Sequence, residues 1–178
     1  MTNSPMMNPK SRVLLITLLC TVPSDLASKY WVDQQVGLGE RVPIIGDFLY
    51  VTHVRNPGAA LGMLAEGPEE LRAIVFALVS ILAVLVIGAF FRKLAPGDRF
   101  SPLALALVLG GAVGNFVDRI LRGEVIDFIH VRLWGGYAWP DFNLADVFIV
   151  LGVAGLALEL IAAEGAARAA PADADADR

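Results

Sequence analysis

Apolar residues in this chain gather into long blocks separated by short polar stretches, so block length is the first quantity to weigh. The clearest block runs from Ala73 to Phe91, nineteen residues without a charge. A helix of that length covers about 28 Å at 1.5 Å per residue, close to a hydrocarbon core roughly 30 Å thick. Three further blocks, Val13 to Val32, Ser101 to Val117 and Asn143 to Ala163, combine apolar sequence with polar groups at one end. Together they predict four membrane-spanning helices, at about 13–32, 71–91, 101–117 and 143–163. A soluble bundle can hide one such stretch, but four leave too little polar surface to face water.

The segments between the spans have a different texture. Residues 33–70 carry Val42, Ile44, Ile45, Phe48, Tyr50, Val51 and Val54 among glycines and prolines, which predicts short strands and turns at the outer face. A second outer segment, 118–142, includes VIDFIHVRLW, read as a strand or interfacial element with Trp134, Tyr137 and Trp139 at headgroup depth. The fold class is thus an all-α membrane protein with four transmembrane helices and a small extracytoplasmic β-rich part, one domain over 1–164. The Ala- and Asp-rich tail, 165–178, has too little bulky apolar content to pack and is expected to be disordered. Arg92, Lys93 and Arg99 crowd the short stretch between the second and third spans, which places that loop and both termini in the cytoplasm. Lys10 and Arg12 before Val13–Cys20 also fit a cleaved signal peptide, but DLASKYWV resumes helical character and the span is kept.

Composition narrows the chemistry. Apolar residues make up 56% and charged residues 18%, against about 25% charged in soluble domains, and mean hydropathy is +0.63. Fourteen Lys and Arg against eighteen Asp and Glu give a net charge of -4, with the positives scattered, so no nucleic-acid partner is expected. One cysteine and two histidines build neither an internal disulfide nor a zinc cluster, and neither a metal nor a cofactor is expected. His53 and His130 read as interface or turn residues. No serine stands in a GxSxG context, and Cys20 reads as a small hydrophobe within an apolar span.

The remaining polar residues gather at one membrane face, where each needs a reason to be there. Asp25 and Lys29 stand i, i+4 in the favourable order, and a helix-end ion pair and a functional pair are equally consistent with that spacing. GGAVGNFVDR puts Gly110 and Gly114 in a small-xxx-small pattern and places Asn115, Asp118 and Arg119 on one face. Arg119 suits either a substrate carbonyl or a local pair with Asp118. Asn143 and Asp146 fit a helix cap and an acid in the first turn, a complete structural explanation for both. Asp127 is different: it lies in the apolar stretch VIDFI, with no cap, no basic residue at helical spacing and no glycine turn to explain it. Two carboxylates brought to hydrogen-bonding distance share one proton near neutral pH. The ionised member then deprotonates a water while the protonated member hydrogen-bonds a scissile carbonyl, which is aspartic protease chemistry. Asp127 and Asp146 are the candidates, and a small proton-coupled transporter or channel subunit is the alternative.

Four blocks resemble those of the lipoprotein signal peptidase family, also called signal peptidase II: DLASK at Asp25–Lys29, NPGAALGM at Asn56–Met63, GNFVDRILRGEVIDFI at Gly114–Ile129 and FNLADV at Phe142–Val147. The resemblance implies a membrane aspartic endopeptidase whose catalytic dyad corresponds to Asp127 and Asp146. It assigns substrate-binding or dyad-supporting roles to Asn56, Gly58, Asn115, Asp118, Arg119 and Asn143, and a structural role at the outer end of the first span to Asp25 and Lys29. It implies four transmembrane helices in the bacterial cytoplasmic membrane, both termini inside, with an outer β-rich cradle beside the active site. The implied partner is a prolipoprotein signal peptide followed by a diacylglyceryl-cysteine, cut just before that cysteine, with membrane lipids around a monomeric enzyme. Leu61 stands where family members often carry an aromatic residue.

Overall fold

The computed structural model describes residues 7–58 and 68–169. Among these residues four long helices carry the fold: α1 (Pro9–Gln35), α2 (Glu69–Lys93), α3 (Phe100–Arg122) and α4 (Leu144–Ala169). Each is long and apolar enough to cross a membrane. A three-stranded antiparallel sheet in the order β1 (Arg41–Ile45), β2 (Leu49–Asn56), β3 (Val125–Val131) caps the end where α1 and α3 finish and α4 begins. A single 3₁₀ turn, Trp134–Gly136, follows β3.

The helices exceed the apolar blocks that predict them, for local reasons. Asn8 accepts a hydrogen bond from the Lys10 amide and Pro9 occupies the first turn, so α1 starts several residues before Val13. The third helix continues beyond residue 117 until Gly123, whose positive φ ends it at Arg122. Asp118 and Arg119 therefore stand on α3 and not in an outer segment. The fourth helix runs through Gly165 to Ala169, which corrects the expectation of disorder for 165–169; the rest of that tail lies outside the described residues.

The third helix is the centre of the bundle, packing on α1 and α4 and more lightly on α2. Its small residues make this approach possible. A Cβ at Gly110 would strike the Thr21 side chain, at Gly111 the Ala145 carbonyl, and at Gly114 the Asp25 carboxylate. The second helix is apolar all round, with Ile74, Leu78, Ile81, Leu82 and Leu85 exposed, as a helix facing lipid would be. At the sheet end, Val32 and Val36 of α1 pack with Ile126 and Phe128 of β3. His53 and His130, expected at turns or interfaces, are buried strand residues instead. His53 Nδ1 lies 2.9 Å from the Val36 carbonyl, and His130 Nδ1 lies 2.6 Å from Asp141 Oδ1. A register irregularity between Val51 and Val54 turns Thr52 and His53 inward and pairs Val54 with Asp127.

Candidate active site

Two elements far apart in sequence meet at the sheet end of the bundle because the chain after β3 folds back along its free edge. Phe142 bridges Ile129: the Phe128 and Ile129 amides donate to the Phe142 carbonyl at 2.9 and 2.8 Å, and the Phe142 amide donates to Ile129 at 3.1 Å. The next residue, Asn143, therefore lies beside Asp127 on the adjoining strand. Asn143 is also the N-cap of α4. Its Oδ1 accepts from the Asp146 amide at 3.1 Å, and its own amide donates to Asp146 Oδ2 at 3.2 Å, a reciprocal capping arrangement with Asp in the acidic position. Its Nδ2 donates to Asp127 Oδ1 at 2.6 Å. One buried residue thus touches both carboxylates.

Each carboxylate has a second amide donor. Asn56, at the end of β2, gives its Nδ2 to Asp127 Oδ2 at 3.0 Å, while its Oδ1 accepts from the Gly58 amide at 3.0 Å in an Asx turn. Asn115 gives its Nδ2 to Asp146 Oδ1 at 2.9 Å. Asp127 is buried at 4% exposure, and its carboxyl is pushed up to about 6, first by burial and further by the charge of Asp146. The bonds from Asn56 and Asn143 and the ammonium of Lys29 act in the opposite direction.

Both acids line a cavity of about 1070 Å³ with Asn56, Asn115, Arg119 and Asn143 in its wall. Arg119 does not pair with Asp118. It donates to the carbonyls of Asn115 and Gly58, both at 3.1 Å, and lies over the Phe76 ring at 4.0 Å. It ties α2, α3 and the turn after β2 together. Asp118 lies behind the cavity, paired with Lys29 at 3.2 Å and Arg122 at 2.5 Å, and accepts from the Ile126 amide at 3.3 Å, which anchors the start of β3. Lys29 also meets Asp25 at 2.8 Å, and Asp25 Oδ1 accepts from the Ala145 amide at 2.9 Å.

Every candidate residue of the sequence analysis lies in this region, in two shells: Asp127, Asp146, Asn56, Asn115, Arg119 and Asn143 on the cavity, Asp25, Lys29, Gly58 and Asp118 in contact with them. Leu61 and the rest of its block after Gly58 lie outside the described residues. Arg122 was not among the predicted site residues, though its i, i+4 spacing from Asp118 was a readable signal; nor were Asp141 or Tyr137 and Trp139, expected only at headgroup depth, all three of which line the cavity. Among the described residues, no group of three or more His, Cys, Asp or Glu side chains is arranged to hold a metal ion.

Residues 16–162 match the family model described as signal peptidase (SPase) II. The chain is 41% identical over 158 residues to the lipoprotein signal peptidase of Geobacter sulfurreducens, covering 89% of this chain and 97% of that one. It is 42% identical over 149 residues to that of Syntrophus aciditrophicus, covering 84% and 92%. Its fold matches a bacterial membrane enzyme solved by the in meso method at 2.3 Å, with a TM-score of 0.75 and 33% identity over 83% of this chain and 87% of the other. A second such structure, at 1.9 Å, gives 0.73 at the same identity, over 83% and 91%. A family model spanning most of the chain, relatives matched nearly end to end and a shared four-helix fold agree: the chain belongs to the signal peptidase II family, and is an aspartic peptidase built as a multi-pass bacterial membrane protein.

Proposed function

We propose that the protein removes signal peptides from diacylglyceryl-modified prolipoproteins, cutting before the lipidated cysteine, with Asp127 and Asp146 activating water. The observation that carries this reading is the joint contact of Asn143 with both carboxylates in the wall of one cavity. Asp146, in the first turn of α4 where free amides favour negative charge, acts as the base that takes a proton from water. Asp127, whose burial favours the proton-bearing form, hydrogen-bonds the scissile carbonyl and stabilises the charge that develops on it. Asn56, Asn115 and Asn143 hold the two carboxylates by amide donors that stay neutral through the cycle. Arg119 holds the Asn115 backbone and the Gly58 turn at the mouth of the site.

The sheet end faces outward and both termini are cytoplasmic in this reading. Lys10 of α1 donates to the Phe91 and Leu94 carbonyls at 3.2 and 2.8 Å, so the N-terminus shares an end with the positive loop carrying Arg92, Lys93 and Arg99, opposite the sheet. A monomer suffices, since one chain supplies both acids. The transporter reading gains no observation in its favour.

Purified protein and a diacylglyceryl-modified precursor test the proposal. Asp127→Asn and Asp146→Asn should each abolish cleavage while remaining folded in detergent, and precursor without the lipid should be left uncut. Cleavage by either variant at the native rate overturns the dyad.

A further inference from the structure

Lys29 is a fully buried cation that the proposed chemistry does not use. Its ammonium has three N–H donors and meets three acceptors: Asp25 Oδ2 at 2.8 Å, Asn115 Oδ1 at 2.8 Å and Asp118 Oδ2 at 3.2 Å. The two carboxylates have other partners. Asp25 also accepts from the Ala145 amide, and Asp118 from Arg122 and the Ile126 amide. The contact with Asn115 has a different consequence, because a side-chain amide has one accepting and one donating end. With its oxygen held on Lys29, the Asn115 Nδ2 points at Asp146 Oδ1, 2.9 Å away. Turned over, its NH₂ would face an ammonium and its oxygen a carboxylate, replacing two attractive contacts with two repulsive ones.

We propose that Lys29 is a positioning residue for the reaction, fixing the Asn115 amide so that it donates to Asp146 and holds that carboxylate in place. The inference rests on the dyad reading above. Lys29 touches Asn115 but neither acid of the dyad, so apart from its charge, which favours the ionised form of Asp127, its contact with the site passes through one amide.

The test measures kcat and KM of the purified full chain on a diacylglyceryl-modified precursor peptide, with thermal melting as the check on folding. Lys29→Met alone leaves buried carboxylates uncompensated, so it is combined with Asp25→Asn, which removes both partners of the pair and keeps an oxygen for the Ala145 amide. This pair variant should lose up to about a hundredfold in kcat with KM changed less than about twofold, since displacement of a reacting group costs turnover more than binding. Asn115→Ala should lose as much, and adding it to the pair variant should cost nothing further, because both changes break the same link. Native kcat in the pair variant, or losses that multiply in the combination, overturn the proposal. Should the pair variant melt below the assay temperature, Asn115→Asp serves instead: it leaves Lys29 an acceptor but offers Asp146 no amide donor, and native kcat there overturns the proposal equally. Asp146→Asn separates the two ideas. An inactive Asp146→Asn beside a fully active pair variant removes the role of Lys29 and leaves the dyad, whereas an active Asp146→Asn removes the dyad itself.

Discussion

The proton on Asp127 links the site to the stability of the whole fold. Burial raises that carboxyl from its ordinary 3.8 to about 6, a preference for the neutral form of about 3 kcal/mol at roughly 1.4 kcal/mol per tenfold change in proton affinity. Between those two values the folded protein keeps the proton while the unfolded chain has released it, so the contribution to stability falls as pH rises through this window. Above about 6 both states are ionised and the loss is complete. Asp127→Asn carries no such proton. The melting temperature of the native protein in detergent should therefore fall relative to that of Asp127→Asn as pH is raised from about 4 to 7, by roughly 6–12 °C for about 3 kcal/mol in a chain of this size. Comparing the two proteins cancels the other carboxylates. The variant need not be the more stable at any one pH, because its NH₂ faces either the Asn56 or the Asn143 donor, a mismatch of about 1–3 kcal/mol that does not vary with pH. A difference that stays constant across that range would refute the account of Asp127 as a carboxyl held neutral by burial.

Four further outcomes follow from the same structure. The alkaline limb of kcat/KM for a diacylglyceryl-modified precursor should lie close to 6, where Asp127 in the free enzyme loses its proton, and that limb should disappear from no variant that retains both acids. Asn143→Ala removes the cap of α4 and the donor to Asp127 together, so thermal melting should report a loss of about 1–3 kcal/mol alongside loss of cleavage. Gly114→Ala drives a methyl into the Asp25 carboxylate and to 3.5 Å from Ala145 Cβ, and should cost about 1–3 kcal/mol by the same measurement. Gly88→Ala, with open space around the new Cβ, should leave melting unchanged or raise it slightly.

Much of the fold was legible because a hydrocarbon solvent imposes a length. Nineteen uncharged residues before Arg92 announce α2 without any knowledge of its neighbours. The β-branched run from Val42 to Val54 likewise announces β1 and β2. Helix ends were less legible, since α3 reaches Arg122 only because its charges are matched from elsewhere: Asp118 by Lys29 of α1 and by Arg122, Arg119 by two carbonyls and the Phe76 ring. Only the Asp118–Arg122 pair follows a local spacing; no local pattern reveals the rest of this matching, and the adjacent residue was the wrong partner for both Asp118 and Arg119. The histidines failed for the same reason, because burial of His53 depends on a strand irregularity and burial of His130 on Asp141 from the returning chain.

Asp127 stands out in the sequence by its apolar setting, whereas Asp146 is explained there as the acid of a first turn, and their meeting at Asn143 in the wall of one cavity was not readable. That meeting depends on how closely α4 approaches α3. The absence of side chains at Gly111 and Gly114 lets the Ala145 backbone lie against α3, and at that distance the Ala145 amide reaches Asp25 while Asp146, one residue on, falls beside Asn115. The pattern that reads in the sequence as a general packing motif thus sets the position of one catalytic candidate, and the Phe142 bridge to Ile129 sets that of the other. A methyl at residue 114 should for this reason lower kcat by more than its cost in stability accounts for, even under conditions where the protein remains folded. If turnover per folded molecule were unchanged in Gly114→Ala, the spacing of these two helices would have no part in assembling the site.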